Sequence, residues 1–247
     1  LDGGILLKSL IWHFSGSKNK GIRFLNKINL ILSIFVLIFG VISLFNFSFI
    51  YGLLFSLLGL FGINTSKSES QLFKIEKILK VNKVADLKLK PLRKIESNSN
   101  FVELNKLVKN KKDTNDKYLF LTNNGRWDGF VHENILKSIS IKKWESTSVS
   151  KYKKPISGFE SISIHSELWQ TIERIEKTKE GLLLVLNAAN IPLGFIDRNK
   201  IGHYVLNRLG VDLPQEILNK FNKKNDYPLG IELPRIIKLM KKKGDID

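Results

Sequence analysis

The sequence predicts an α-helical membrane part followed by a duplicated α/β module, and three observations carry that reading. Residues 28–66 hold no charged side chain. Beyond Ser66 the composition shifts to Lys, Asn, Glu and Ser, and the chain then matches itself at an offset of 64 or 65 residues. Each copy alternates short apolar runs with helical patterns and Asn/Gly turns. The expected boundaries are 1–66 for the membrane part, 67–90 for a linker, 91–150 and 151–209 for the two copies, and 210–247 for a C-terminal extension.

The first element is a mostly apolar helix over residues 1–14, LDGGILLKSLIWHF, with Lys8 as its exception. Gly3 and Gly4 lie at its start, and Ser15–Gly16–Ser17 ends it. Asp2 is the only acidic residue before Glu69. A carboxylate beside apolar helices needs a positive partner. The N-terminal end of its own helix is one such partner, which makes Asp2 a helix cap; a bound metal ion is another. His13 stands eleven residues on, roughly 16 Å along a helix, too far to share that ion.

The charge-free run follows. As one helix it would be roughly 55 Å long, against a hydrocarbon core of about 30 Å. It therefore reads as two spans, 28–45 and 47–63, turning at Asn46. Lys18, Lys20, Arg23 and Lys27 precede the hairpin, and Lys67, Lys74 and Lys77 follow it. Basic residues at both ends and none at the turn place both ends, and the module after them, in the cytoplasm.

The net charge of +17 invites a nucleic-acid reading. Lysine supplies 33 of the 40 basic residues, scattered among Asn and Ile, and no aromatic-basic motif accompanies it. We therefore expect no nucleic-acid partner and an attraction to anionic headgroups of the bilayer instead. Cysteine is absent, which excludes disulfides, thiolate zinc sites and a cysteine nucleophile. The chain opens without Met and reads as the C-terminal portion of a longer protein.

After a connector with an amphipathic helix at 69–79, Pro91 corresponds to Pro155, Glu96-Ser97 to Glu160-Ser161, and Leu104 to Leu168. Residues 118–121 correspond to 182–185, and Gly129-Phe130-Val131 to Gly194-Phe195-Ile196. Helices at 101–109 and 166–177 precede strands at 118–122 and 182–186. Turns around Asn124-Gly125 and Asn187–Asn190 lead to second strands at 127–131 and 193–196. Helices at 133–138 and 198–208 close the copies. The extension ends in a helix at 232–243 whose KLMKKK either lies on anionic lipid or is solvated.

Two resemblances follow from these residues. Leu-Asp-Gly-Gly, an apolar helix ending near Trp12, a basic Gly-containing loop and an apolar hairpin resemble the C-terminal membrane half of site-2 proteases, the intramembrane zinc metalloproteases. That resemblance implies Zn²⁺ as cofactor and Asp2 as its third ligand. The other two ligands would be histidines of an HExxH helix, which does not occur in these 247 residues. It also implies a transmembrane protein substrate. The repeat of about 60 residues, β-turn-β-G-φ-φ followed by a helix, resembles paired cystathionine-β-synthase-type (CBS) domains, two of which stack into a Bateman module and can self-associate. The combination resembles the cyanobacterial type of site-2 protease with C-terminal CBS domains. CBS pairs often bind adenine nucleotides through a Thr after G-φ-φ and an Asp three residues later. Here those positions hold His132 with Ile135 or Asn134, and Asp197 with Lys200. His132, Asn134 and Asp197 are thus the candidate nucleotide contacts. Lys200 cannot accept from ribose hydroxyls and Asp197 would repel phosphate, so docking or a structural role is the stronger expectation. The alternative to the protease is a non-catalytic, membrane-tethered CBS regulatory protein or a transporter-associated subunit.

Overall fold

In a computed structural model, residues 18–46, 48–110, 117–214 and 226–246 are described. The chain divides into two compact units, Leu1–Ile75 and Glu76–Asp247.

Among the described residues the first unit is a helical hairpin of α1 (Lys18–Asn46) and most of α2 (Phe49–Val81), whose last residues, 76–81, belong to the second unit. The turn falls where the sequence places it. The Ser48 N–H donates to the Ser43 carbonyl at 3.1 Å, and the Asn46 amide donates to the Ile42 carbonyl at 3.1 Å. The second helix does not stop at Ile63. It runs on through the predicted amphipathic stretch, because no Gly or Pro interrupts residues 63–81. Its 33 residues reach about 50 Å.

Small residues let the two helices meet backbone to backbone. A Cβ at Gly40 would lie 2.4 Å from the Ser56 nitrogen, and one at Gly59 2.6 Å from the Leu37 nitrogen. Gly52, Gly59 and Ser66 recur every seven residues, so one stripe of α2 stays against α1. Away from that stripe the surface is apolar and open: Phe35, Phe45, Ile50 and Phe61 are 65–85% exposed. Both helices are long and apolar enough to cross a membrane. Gly59→Leu is expected to pry the helices apart, read as a large loss of energy transfer between dyes at positions 33 and 66 in detergent; unchanged transfer would contradict this packing.

The second unit holds two three-stranded sheets of one plan. The first copy contains β1 (Lys94–Glu96), α3 (Phe101–Lys109), β2 (Tyr118–Asn123), β3 (Arg126–His132) and α4 (Ile135–Ser138). The second contains β4 (Ser161–Ser163), α5 (Leu168–Lys177), β5 (Leu182–Leu186), β6 (Pro192–Asp197) and α6 (Arg198–Arg208). In each, the first strand runs parallel to the second and the second antiparallel to the third. The β2–β3 turn needs positive φ at two successive positions, and Asn124 (51°) and Gly125 (78°) supply it. A last helix, α7 (Leu233–Lys242), belongs to the extension.

The repeat register agrees with the sequence over β2/β5, over Gly129–Val131 and Gly194–Ile196, and at Pro91 and Pro155, but not over the first strands and helices between. Lys94 pairs with Phe120 where Ser161 pairs with Leu184, so the first strands match at an offset of 67, against 64 for their partners. Glu96-Ser97 therefore corresponds to Ser163-Ile164, not Glu160-Ser161, and Leu104 to Thr171, not Leu168. The cause is length. Phe101 to Tyr118 spans three residues more than Leu168 to Leu182, which shifts the matches of β1 and α3, while Lys154 to Ser161 spans three more than Lys90 to Lys94 and returns Pro91 to Pro155.

The core forms where the strand alternation predicts. Leu119, Leu121 and Val131 face Ile95, Phe101 and Leu104 inside copy one. Phe120 and Phe130 point the other way, against Leu184 and Phe195 of copy two.

Candidate functional site between the two copies

Residues 83–90, assigned by the sequence to the linker, hydrogen-bond to copy two. The Val84 N–H donates to the Ser166 carbonyl (3.0 Å) and the Ala85 N–H to the Ile164 carbonyl (2.9 Å). Lys90 and Phe195 exchange two bonds of 2.9 Å. Residues 144–154 repeat the pattern on copy one. The Val149 N–H donates to the Ser99 carbonyl (2.9 Å), and Phe130 and Lys154 exchange bonds of 2.9 and 2.8 Å. Copy two is thus completed by chain that precedes copy one.

This geometry explains the repeated glycine of G-φ-φ. A Cβ at Gly194 would lie 2.6 Å from the Lys90 carbonyl oxygen, and one at Gly129 2.6 Å from that of Lys154. Only a residue without a side chain lets the crossing segment reach the third strand.

Between the sheets the space is filled by aromatic rings. Phe120 lies 5.4 Å from Phe195 and 6.0 Å from Phe130, and Phe159 lies 5.2–5.3 Å from Phe130 and Phe195. Tyr118 stands edge-on to Phe159 at 4.8 Å and to His132 at 5.0 Å. Burial, and then the Glu180 carboxylate that accepts its hydrogen bond, push the Tyr118 hydroxyl pKa well above its ordinary value. Tyr118 therefore stays protonated and links the copies as a donor.

The candidate nucleotide contacts sit at the ends of β3 and β6. The Asp197 side chain is 3% exposed, accepts the Lys200 N–H at 2.8 Å as the cap of α6, and pairs with Lys90 Nζ at 2.7 Å. Both oxygens are engaged. His132 Nδ1 accepts the Asn134 N–H at 3.0 Å, which leaves Nε2 as the ring's outward nitrogen. Asn134 caps α4 in helical conformation without a side-chain bond to it. These partners were not foreseen for Asp197. The signal lay in Asp-Arg-Asn-Lys at a helix start, a cap pattern.

At the far end of β3, Asp128 accepts from Ser97 Oγ at 2.6 Å and pairs with Lys153 Nζ at 2.5 Å. Those two hydrogen bonds, Lys153 first, hold its carboxyl below the ordinary 3.8. A depressed folded pKa contributes stability that is complete above the unfolded value and lost as pH falls through the folded one. The midpoint difference between the native chain and Asp128→Asn is thus expected to be constant above about pH 5 and to shrink below about pH 4. Melting curves across pH 3–7 check this, and a difference that grows on acidification would contradict it.

A cleft of about 760 Å³ opens where the extension meets copy two, lined by Glu176, Arg198, Asp226, Tyr227, Glu232 and Lys238 among others. Glu176 accepts from Arg198 Nε at 2.7 Å and from the Tyr227 hydroxyl at 3.1 Å. Burial, reinforced by Glu176, raises the Tyr227 hydroxyl pKa. Burial works against the Arg198 charge, yet the Glu176 hydrogen bond holds its pKa above the ordinary value. The lining balances its charges and selects no single ligand class.

The predicted metal ligand Asp2, and His13 with it, lie outside the described residues. Among the described residues no three His, Cys, Asp or Glu side chains are grouped to hold a metal ion. The KLMKKK ending is packed onto the module. Met240 is buried, Lys241 pairs with Glu173 at 3.0 Å, and Lys243 pairs with Glu76 at 2.7 Å. The apolar face that would enter lipid is therefore already covered.

No family model and no curated protein matches the chain. Among solved structures it is similar to the CBS domain of the bacterial CNNM/CorC family Mg²⁺ transporter in complex with ATP, at 10% identity and a TM-score of 0.44, over 56% of this chain and 97% of that one. It is also similar to the CBS-pair protein CBSX2 from Arabidopsis thaliana, at 17% identity and a TM-score of 0.42, over 53% and 98% of the two chains. Scores this low carry nothing about activity, and the paired plan rests on the strand register and crossings described above.

Proposed function

We propose that the chain is a membrane-tethered regulatory protein, in which two apolar helices hold a CBS-type pair at the bilayer and the pair acts on whatever the hairpin contacts. One observation carries the reading: only Asn82 separates the end of α2 from residues that complete copy two. A rearrangement of the copies would therefore act directly on a helix that leaves the membrane. Basic residues at both ends of the hairpin support a cytoplasmic module. Docking of a partner or of a second copy suits the pair better than nucleotide binding, because Lys90 and the α6 backbone engage Asp197 while His132 bonds the Asn134 backbone. Equilibrium dialysis of the full chain in detergent against ATP, ADP and AMP tests this. No binding up to millimolar concentration is expected, and saturable millimolar or tighter binding of any of them overturns the preference.

The Leu1-Asp2-Gly3-Gly4 stretch favours a second reading, the C-terminal portion of an intramembrane zinc endopeptidase that cleaves transmembrane segments. Asp2 would be one zinc ligand beside histidines outside these 247 residues, and the ion would bring the pKa of a bound water to about 7. The described residues hold no such ligand set, and no catalytic step is derived from them. The chain alone is expected to be inactive. In a longer protein carrying HExxH, Asp2→Ala is expected to abolish both zinc content and cleavage; retention of both would end the protease reading.

A further inference from the structure

We propose that α7 is a clasp that fastens the end of α2 to copy two, so that the membrane helix is wired to the second copy and not to the first. The inference deepens the regulatory reading and rests on it for its purpose, while the clasp itself rests on contacts.

Those contacts are of two kinds. The buried face of α7 consists of Leu233, Ile236, Ile237 and Met240, each no more than 7% exposed. It packs on α5, whose Ile172 and Ile175 are fully buried, as is Leu79 near the end of α2. The polar end of α7 then reaches both elements. Lys241 pairs with Glu173 of α5 at 3.0 Å, and Lys243 with Glu76 of α2 at 2.7 Å. Lys80 donates to the Asp245 carbonyl.

Copy two holds the same stretch from the other side. Beyond the bridges of Val84, Ala85 and Lys90, the Tyr204 hydroxyl of α6 donates to Asn82 Oδ1 at 2.7 Å. Residues 76–90 are thus gripped by α6, β6 and α7, all of copy two or its extension. The corresponding crossing of copy one, residues 144–154, connects only to chain within the module. Lys241 and Lys243 of KLMKKK acquire a reason here, since they match acids on two separate elements.

Hydrogen exchange of the full chain in nanodiscs tests the clasp. Removal of residues 232–247, and separately Met240→Glu, is expected to speed exchange of amides 77–90 at least tenfold while β2 and β3 amides of copy one keep their protection. Unchanged protection of 77–90 overturns the clasp, and so does equal loss from copy one, which would make α7 a general stabiliser. Exposed ion pairs contribute little singly, so Lys243→Glu is expected to give a two- to fivefold change. The double variant Glu76→Lys with Lys243→Glu should restore the native rate; failure to restore it contradicts the pairing. Nucleotide dialysis is independent of these rates, so the clasp and the wider reading fail separately.

Discussion

Gly194→Val is expected to detach residues 83–90 from copy two and to cost about 3 kcal/mol or more. The added atoms would enter at a point where a single Cβ already sits 2.6 Å from a backbone oxygen and 2.9 Å from the Leu89 Cβ. A flexible side chain could move aside; the Lys90 carbonyl cannot without breaking the bond it accepts from the Phe195 N–H. Val is otherwise a favoured strand residue, so a loss here isolates the close approach from propensity. Gly129→Val should do the same to copy one through the Lys154 carbonyl. Thermal melting and near-ultraviolet dichroism in detergent check both, and a native melting point for either variant would contradict the crossing geometry.

Phe120→Ala is the second large effect. Its ring is fully buried and meets Trp127, Phe130, Phe159 and Phe195 at 5.4–6.2 Å, so it holds β2, β3 and β6 together across the two copies. Truncating a buried Phe costs about 3–5 kcal/mol from lost transfer free energy and the cavity left behind. For a unit of this size each kcal/mol lowers the melting temperature by about 2–4 °C, which gives a drop of about 6–20 °C. Leu121→Ala, inside copy one only, should cost about 2–5 kcal/mol but leave the inter-copy rings in place. Near-ultraviolet dichroism, which reads ring packing, should therefore fall more for Phe120→Ala than for Leu121→Ala. Equal spectra from the two variants would contradict the division into inner and inter-copy cores.

What the sequence showed and what it hid divide along physical lines. The hairpin was legible because thirty-nine uncharged residues have few soluble uses. The turn at Asn46 showed through length alone. The end of α2 was not legible at Ile63, since hydropathy reports where the apolar stretch stops, whereas the helix runs on to Val81, where the chain turns to pair with copy two. The second and third strands were visible as apolar runs around Asn-Gly. β1 and β4 were not, because three residues are too few to alternate, and because the shorter α5–β5 connection moved their register by three.

The site was partly legible. G-φ-φ stood out in both copies, and its glycines mark where the crossing segments meet the third strands. Asp197 was visible as a residue but not in its role. A carboxylate that opens a helix and one that meets a ribose look alike in sequence, and only the approach of Lys90 from before the first copy separates them. Non-local pairing of this kind leaves no trace in periodicity, which reports local faces alone. Residues 83–90 were read as linker for the same reason.

The central claim is that chain leaving α2 completes the second copy. The chain contains no cysteine, so pairs can be introduced cleanly and oxidised in dilute detergent solution. Ala85 lies beside Ile164, whose structural counterpart in copy one is Ser97. The account predicts rapid intramolecular disulfide formation for Ala85→Cys with Ile164→Cys and almost none for Ala85→Cys with Ser97→Cys. Efficient closure of the second pair, with none in the first, would place the connector on copy one and contradict the claim.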